Sequence, residues 1–246
     1  MIDLCRYRMF VTGAGSGIGL ASVIQAHVMG VWIAGTVRGS EQCAVLAPYL
    51  DDGWIFNLDV ADRAALDRVV AATIQRFDGL GGALACAGII ALFTATETTD
   101  AVWENVIGTN LTGCFNLAHA AARHIKTQGK GSIVIISSQT GLVGHPRAAA
   151  HGMSKSRFNG TVRAMALELA SDNMHINAIG PGPTAADITA VTRTIPEQRD
   201  YVLNGIPMGR FGEPEETANI NSFLLSDATS FVTGHVVCAD RGYTAK

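Results

Sequence analysis

The stretch Thr12-Gly13-Ala14-Gly15-Ser16-Gly17-Ile18-Gly19 decides the fold. It follows a short apolar segment, Arg8–Val11, that reads as a strand, and it opens a pattern that reads as a helix from about Ile18 to Met29. Gly13, Gly17 and Gly19 lack the side chains that would stop the backbone from turning tightly and approaching a pyrophosphate. The helix start adds free N–H groups and the positive end of a dipole. A glycine motif alone is a weak signal, so the reading must extend along the rest of the chain.

Strand and helix patterns alternate to the end. Val31–Thr36 reads as a second strand, Ser40–Leu50 as a helix and Trp54–Leu58 as a third strand. Asp62 is a good N-cap for a helix to Phe77, with Leu66, Val69, Val70 and Ile74 on one stripe. Ala83–Ala87 reads as a fourth strand, and a helix around Ala101–Leu111 runs towards or into a long one through Ile125. Ser132–Ser138 is a continuous apolar strand, as expected for a parallel strand covered on both faces. Ala149–Ala170 reads as a long helix, His175–Ile179 as a sixth strand and Pro181–Pro196 as a loop. Glu213–Leu225 reads as a helix with proline in its first turn, and His235–Cys238 as a closing strand. Repeated βα units imply right-handed crossovers. The expectation is α/β: a doubly wound, seven-stranded parallel sheet in a three-layer α/β/α sandwich, with residues 1–246 as one domain.

Bulk properties narrow the function. The chain has 246 residues, is 48% hydrophobic and 16% charged, and carries a net charge of −3. Lys and Arg occur without runs, which speaks against a nucleic-acid or membrane partner. Five scattered cysteines without a C-x-x-C suggest reduced thiols and a cytoplasmic setting. His119 and His124 are five apart, off one helical face, and no spacing suits a metal. The N-terminal residues show no long apolar region of a signal peptide, and no apolar run is long enough to span a bilayer.

Further along stand Asn110 (in Asn110-Leu111-Thr112-Gly113), Ser138 and the pair His151…Lys155, with Ser138 thirteen positions before His151. Together with the glycine turn, these residues resemble the short-chain dehydrogenase/reductase family, whose active site reads Asn, Ser, then Tyr-x-x-x-Lys. The likeness runs from Thr12 to Tyr243 and implies a Rossmann-type fold, a nicotinamide dinucleotide, and hydride exchange between a carbonyl compound and its alcohol. By that resemblance Gly13, Ser16, Gly17, Ile18 and Gly19 hold the cofactor phosphates, Asp59 and Val60 the adenine, and Ala87-Gly88 the strand end beside it. Pro181-Gly182 and Thr184 face the nicotinamide, and Lys155 holds its ribose. In the catalytic set, Ser138 steadies the oxygen, Asn110 keeps a water relay, and Lys155 tunes the acid.

Cofactor choice turns on the end of the second strand. Relatives that prefer NAD place an Asp there; here the position is Val37, followed by Arg38. An arginine pairs with a 2′-phosphate that a carboxylate would repel. NADP(H) is therefore expected over NAD(H), with Ser16 as a second contact.

Four motif positions depart from the family. Cys86 stands in Ala85-Cys86-Ala87-Gly88 where Asn-Asn-Ala-Gly is usual, Ala186 replaces a threonine, and Arg241 replaces one glycine of a Gly-Gly pair. His151 replaces the tyrosine that passes the proton. An imidazole has an ordinary pKa of about 6.5, but its ring nitrogen falls short of a phenol oxygen by roughly 2 Å. Lys155, one turn along the same helical face, disfavours imidazolium. Two readings follow: an oxidoreductase with an altered proton path, or a cofactor-binding protein without turnover, acting as scaffold or partner subunit. Residues 183–210 are expected to form the substrate loop, with 141–150 and 89–95 as other walls, suited to a small or medium carbonyl compound or alcohol. The helices over 112–125 and 149–170, with Phe115, Leu117, Phe158, Val162, Met165 and Leu169, carry more apolar surface than one sheet face needs, and the family resemblance implies that they pair in a homotetramer.

Overall fold

The structure, a computed structural model, describes residues 2–245. Its strands are β1 (Arg8–Thr12), β2 (Trp32–Val37), β3 (Ile55–Asn57), β4 (Gly82–Ala85), β5 (Gly131–Ile136), β6 (Met174–Pro181) and β7 (Val236–Ala239). All are parallel and lie in one sheet of order β3-β2-β1-β4-β5-β6-β7. The helices are α1 (Gly17–Val28), α2 (Ser40–Leu46), α3 (Arg63–Phe77), α4 (Asp100–Ile107), α5 (Cys114–Gln128), α6 (Ala149–Leu169), α7 (Ala190–Thr194), α8 (Pro196–Gly205) and α9 (Pro214–Leu225).

The period-two alternation of each strand feeds two cores, one on each sheet face. Phe10, Ile133 and Ile135 point into one core with Leu66, Leu117 and Phe158 from α3, α5 and α6. Their neighbours Met9, Val11, Val134 and Ile136 point into the other with Val23 and Leu224 from α1 and α9. Every residue of β5 is buried, as its unbroken apolar run requires. Asp62 caps α3 by accepting from the Ala65 N–H at 2.9 Å, a contact worth about 1 kcal/mol.

Three local expectations need correction. α2 stops at Leu46 instead of Leu50 because Pro48 brings no N–H to extend the ladder; Tyr49 and Leu50 close the turn onto the Leu46 carbonyl instead. The expected loop over 181–196 contains a single turn at Asp187–Thr189 and α7, and α8 follows. Pro196 sits at the start of α8, where a missing N–H costs nothing, so it begins a helix and does not close the expected loop. The apolar residues offered for a subunit contact on the long helices are largely used at home. Leu117, Phe158 and Val162 are at most 1% exposed, whereas Phe115 on α5 and Leu167 on α6 are the large apolar side chains that face outward there.

α4 and α5 form one continuous rod interrupted by a π-helical turn, Gly108–Gly113. Such an extra residue per turn re-aims side chains, and here Asn110 is fully buried within it.

Candidate active site

The chain leaves the sheet in opposite directions from β1 and β4, so their C-terminal ends open a crevice. A cavity of about 650 Å³ occupies it. Of the residues singled out in the sequence, Gly13, Ser16, Gly17, Ile18, Gly19, Arg38, Val60, Ala87, Gly88, Ser138, His151, Lys155, Pro181, Gly182 and Thr184 line this one cavity. Asn110 lies behind the wall, and Asp59 lies outside it.

One end of the cavity is built from backbone. Gly13 has φ +66°, and a Cβ there would sit 2.7 Å from Ala87 Cα. A Cβ on Gly19 would fall 2.0 Å from the Gly13 carbonyl oxygen. β1, the turn and β4 can approach only because these side chains are missing. At the N-terminus of α1, Ser16 makes no side-chain cap hydrogen bond, and the first turn holds no acidic residue. The helix therefore presents N–H groups and an uncompensated positive end to the cavity. Arg38 stands exposed where β2 ends, with its backbone N–H donating to Gln42 Oε1 at 3.1 Å. A pyrophosphate with an adenosine arm fits these donors and this bare backbone.

Asp59 is exposed, and its Oδ1 accepts from the Ala61 N–H at 2.8 Å, so in this structure it closes the turn into α3. Leu58 and Val60 supply the wall at that point. Val60 is held by Asn116, whose amide donates to its carbonyl at 3.1 Å, and by close packing over Gly113.

The other end is built from side chains. β5 ends short of Ser138, which is extended and lets its Oγ accept from Thr140 N–H at 3.1 Å and from Thr140 Oγ1 at 2.9 Å. It thus caps a turn and lines the cavity together, and neither bond uses its own proton. α6 is fastened to this turn. Ser137 Oγ donates to Asn159 Oδ1 at 2.7 Å, and Ser156 Oγ and Asn159 Nδ2 donate to the Gly141 carbonyl at 2.9 and 3.2 Å. That register carries Lys155 inward, where its Nζ donates to the Ile136 carbonyl at 2.7 Å. Burial lowers the Lys155 pKa. A Cβ on Gly88 would lie 3.5 Å from Asn110 Oδ1 and 3.6 Å from Lys155 Nζ, so the two groups converge where β4 ends.

His151 lies one turn before Lys155 and is 7% exposed. Its Nδ1 is 3.1 Å from the Ile89 carbonyl oxygen and 3.3 Å from Asn110 Nδ2. Burial first, and then the charge of Lys155, push its pKa from 6.5 down to about 4. The imidazole is neutral at pH 7.

His145 and Arg147 reach the cavity from the expected wall over 141–150, and Glu197 and Tyr201 from the expected substrate loop over 183–210. Gln42, at the start of α2, also lines it, and its ordinary polar stretch carries no signal of that. Beside Ala186, Thr189 Oγ1 donates to the Thr184 carbonyl at 2.5 Å and lies 3.0 Å from the Ala186 carbonyl, which ties this segment to its own backbone. Cys86 lines the cavity, and burial raises its thiol pKa. Arg241 joins Arg210 on Glu216, tying the segment after β7 to the start of α9. The hydrogen bond from Arg210 heads the causes that hold the Glu216 carboxyl down to about 2. Among the described residues no group of three or more His, Cys, Asp or Glu could hold a metal ion, and no helix is long and apolar enough to cross a membrane.

Comparison with known proteins agrees with this geometry. Residues 13–244 match the family described as Enoyl-(Acyl carrier protein) reductase. The chain is 34% identical over 239 residues to the 3-oxoacyl-(acyl-carrier-protein) reductase FabG of Thermotoga maritima, covering 94% of this chain and 95% of that one. It is 36% identical over 238 residues to the L-tagatose-forming galactitol 2-dehydrogenase of Cereibacter sphaeroides, covering 95% and 93%. Among solved structures it is similar to a candidate NAD(P)-dependent gluconate 5-dehydrogenase from Beutenbergia cavernae with NADP bound at low occupancy. The TM-score is 0.93 at 30% identity, covering 100% of this chain and 99% of that one. With its seven-stranded parallel sheet, its glycine cradle and these relatives, the chain belongs to the short-chain dehydrogenase/reductase family of oxidoreductases.

Proposed function

We propose that this protein interconverts a small or medium carbonyl compound and its alcohol by hydride exchange with a nicotinamide dinucleotide, with His151 in the proton-transfer role a tyrosine fills in the family. The observation that carries this reading is convergence: the glycine cradle and the heads of Ser138, His151 and Lys155 line one cavity. The cofactor, when bound, supplies the hydride donor or acceptor. Gly13, Ser16, Gly17, Ile18 and Gly19 would hold its phosphates, Val60, Ala87 and Gly88 its adenosine side, and Pro181, Gly182, Thr184 and Lys155 its nicotinamide side. Ser138 still has an O–H to offer a carbonyl oxygen as charge develops there.

NADP(H) is favoured over NAD(H). Arg38 lines the cavity at the end of β2, where a guanidinium can pair with a 2′-phosphate, and the Beutenbergia cavernae neighbour holds NADP. Calorimetric titration with both nucleotides tests this, with tighter NADP+ binding expected. Arg38→Ala should remove about tenfold of the preference, roughly 1.4 kcal/mol. Equal or tighter NAD+ binding in the parent would refute the assignment.

A cofactor-binding subunit without turnover is the second reading, and it draws on the short reach of an imidazole. The parent and His151→Tyr, assayed with a panel of ketones and alcohols, separate the two. Turnover in a parent that the tyrosine does not improve supports histidine as a working group. Nucleotide binding with no turnover in either supports the scaffold.

A homotetramer fits the outward apolar side chains, Trp103 on α4, Phe115 on α5 and Leu167 on α6, which are 40%, 38% and 85% exposed. Light scattering showing a monomer at micromolar concentration would refute it.

A further inference from the structure

Hydrogen-bond accounting around His151 determines which of its nitrogens carries the proton. Asn110 grips the backbone of Ile89 from both sides: its Oδ1 accepts from Ile89 N–H at 2.8 Å, and its Nδ2 donates to the Ile89 carbonyl at 2.9 Å. An oxygen must face the N–H and a nitrogen must face the C=O, so the amide cannot be turned over. Its second N–H proton goes to Ser154 Oγ at 3.2 Å. That oxygen is free to accept, because its own proton is donated to the His151 carbonyl at 2.7 Å. The amide has no third proton for His151 Nδ1. That nitrogen, 3.1 Å from the Ile89 carbonyl, faces an acceptor and must supply the hydrogen itself.

We propose that Asn110 and the Ile89 carbonyl lock His151 in its Nδ1–H tautomer, leaving Nε2 as a bare proton acceptor facing the cavity, so that the site in its resting form is a base for alcohol oxidation. Asn110 is then a positioning residue acting through Ile89. The proposal rests on the functional reading above and sharpens it. In the step, the carbinol O–H proton passes to Nε2, the C–H hydride leaves for an oxidised nicotinamide, and the carbonyl forms. The imidazolium then returns its proton to water.

Burial, and then the charges around the ring, keep Nε2 unprotonated at neutral pH. Lys155 from α6 and His145 from the loop before it both oppose imidazolium. Arg147 and Cys86 line the same cavity, as do the carboxylates of Asp187 and Glu197, but neither carboxylate is among the groups acting on His151. With the pKa at about 4, discharge of the proton is downhill at neutral pH. The acid form that carbonyl reduction needs is present in about one molecule in a thousand at pH 7.

Two measurements test this. Long-range ¹H–¹⁵N NMR of the intact protein without nucleotide, with His151 assigned by comparison with His151→Gln, should show Nδ1 protonated and Nε2 bare at pH 7. In Asn110→Ala, tautomer exchange should appear, and kcat/KM for alcohol oxidation should fall about tenfold with the nucleotide Kd unchanged. An Nε2–H tautomer in the parent overturns the lock. In turnover, oxidation should be flat from about pH 5 to 8, while kcat/KM for reduction falls tenfold per pH unit above about 4; a flat reductive profile overturns the base assignment. If Nδ1–H is seen but no pyridine nucleotide binds, the lock stands and the functional reading fails with the base assignment.

Discussion

The two ends of the cavity are made of different material. The dinucleotide end is backbone: Gly13 and Gly19 are defined by atoms they lack, and a methyl group at Gly19 would collide with a carbonyl oxygen at 2.0 Å. The other end is side chain: Ser138 at the turn after β5 and His151 and Lys155, one turn apart on α6, bring their heads to the same cavity. A backbone-built site fails when a side chain is added. A side-chain-built site can keep its shape while its chemistry changes. A histidine at position 151 is therefore compatible with an undisturbed fold.

The sharpest way to break this contrast is Gly19→Ala. No flexible group near that Cβ can give way, so overpacking must move β1 or α1. Nucleotide affinity should fall by about a thousandfold, near 4 kcal/mol, with a lower Tm. Retained binding in titration would show that the cradle is more pliant than its contacts imply.

His151 provides the next largest effect, and it reads on stability. Its folded pKa, about 4, lies below its ordinary 6.5, so the unfolded chain takes the proton more readily. The sign follows: the stability contribution is intact above about pH 6.5 and is lost as pH falls towards 4. The full loss is about 3 kcal/mol. Denaturant unfolding at pH 7 and pH 4 should show a drop smaller by about that amount in His151→Gln, whose amide retains a donor for the Ile89 carbonyl. Equal acid sensitivity in both proteins would mean that the imidazole is better solvated than its burial indicates.

Lys155→Met keeps the stem and removes the charge. It leaves the Ile136 carbonyl without its donor and should cost about 1–3 kcal/mol of stability. Turnover should drop about a hundredfold, and the His151 pKa should rise from about 4 as one of its two main depressing causes disappears. An NMR titration showing the His151 pKa unmoved would assign the whole shift to burial.

The smallest effect is expected at Asp59. Its carboxylate caps the turn at Ala61, so Asp59→Ala should cost about 0.5–1 kcal/mol and change nucleotide Kd less than about threefold. A tenfold loss of affinity would show that the side chain swings to the adenine on binding, restoring the role the family resemblance implied.

What was legible in the chain, and what was not, follows from the range of the forces involved. The seven strands could be read because burial on both sheet faces demands unbroken apolar runs such as Ile133–Ile136. The glycine turn could be read because few residues but glycine can hold φ +66° at that close approach. Asn110, Ser138, His151 and Lys155 stand out only through the family resemblance, to which helical spacing adds that the last two share one face. α8 was missed because Pro196 suits a loop and a helix start equally well.

The chain alone determined the architecture and, through its likeness to the family, the ligand class, because local backbone preferences and burial patterns are written in adjacent residues. Only the tertiary structure decided that Asp59 closes a turn, that the apolar residues of α5 and α6 mostly serve their own core, and that His151 Nδ1 meets Ile89 and Asn110. The last of these depends on partners far apart in sequence: Ile89 and Asn110 meet His151 across 62 and 41 positions. A hydrogen bond is decided by tenths of an ångström that no periodicity encodes.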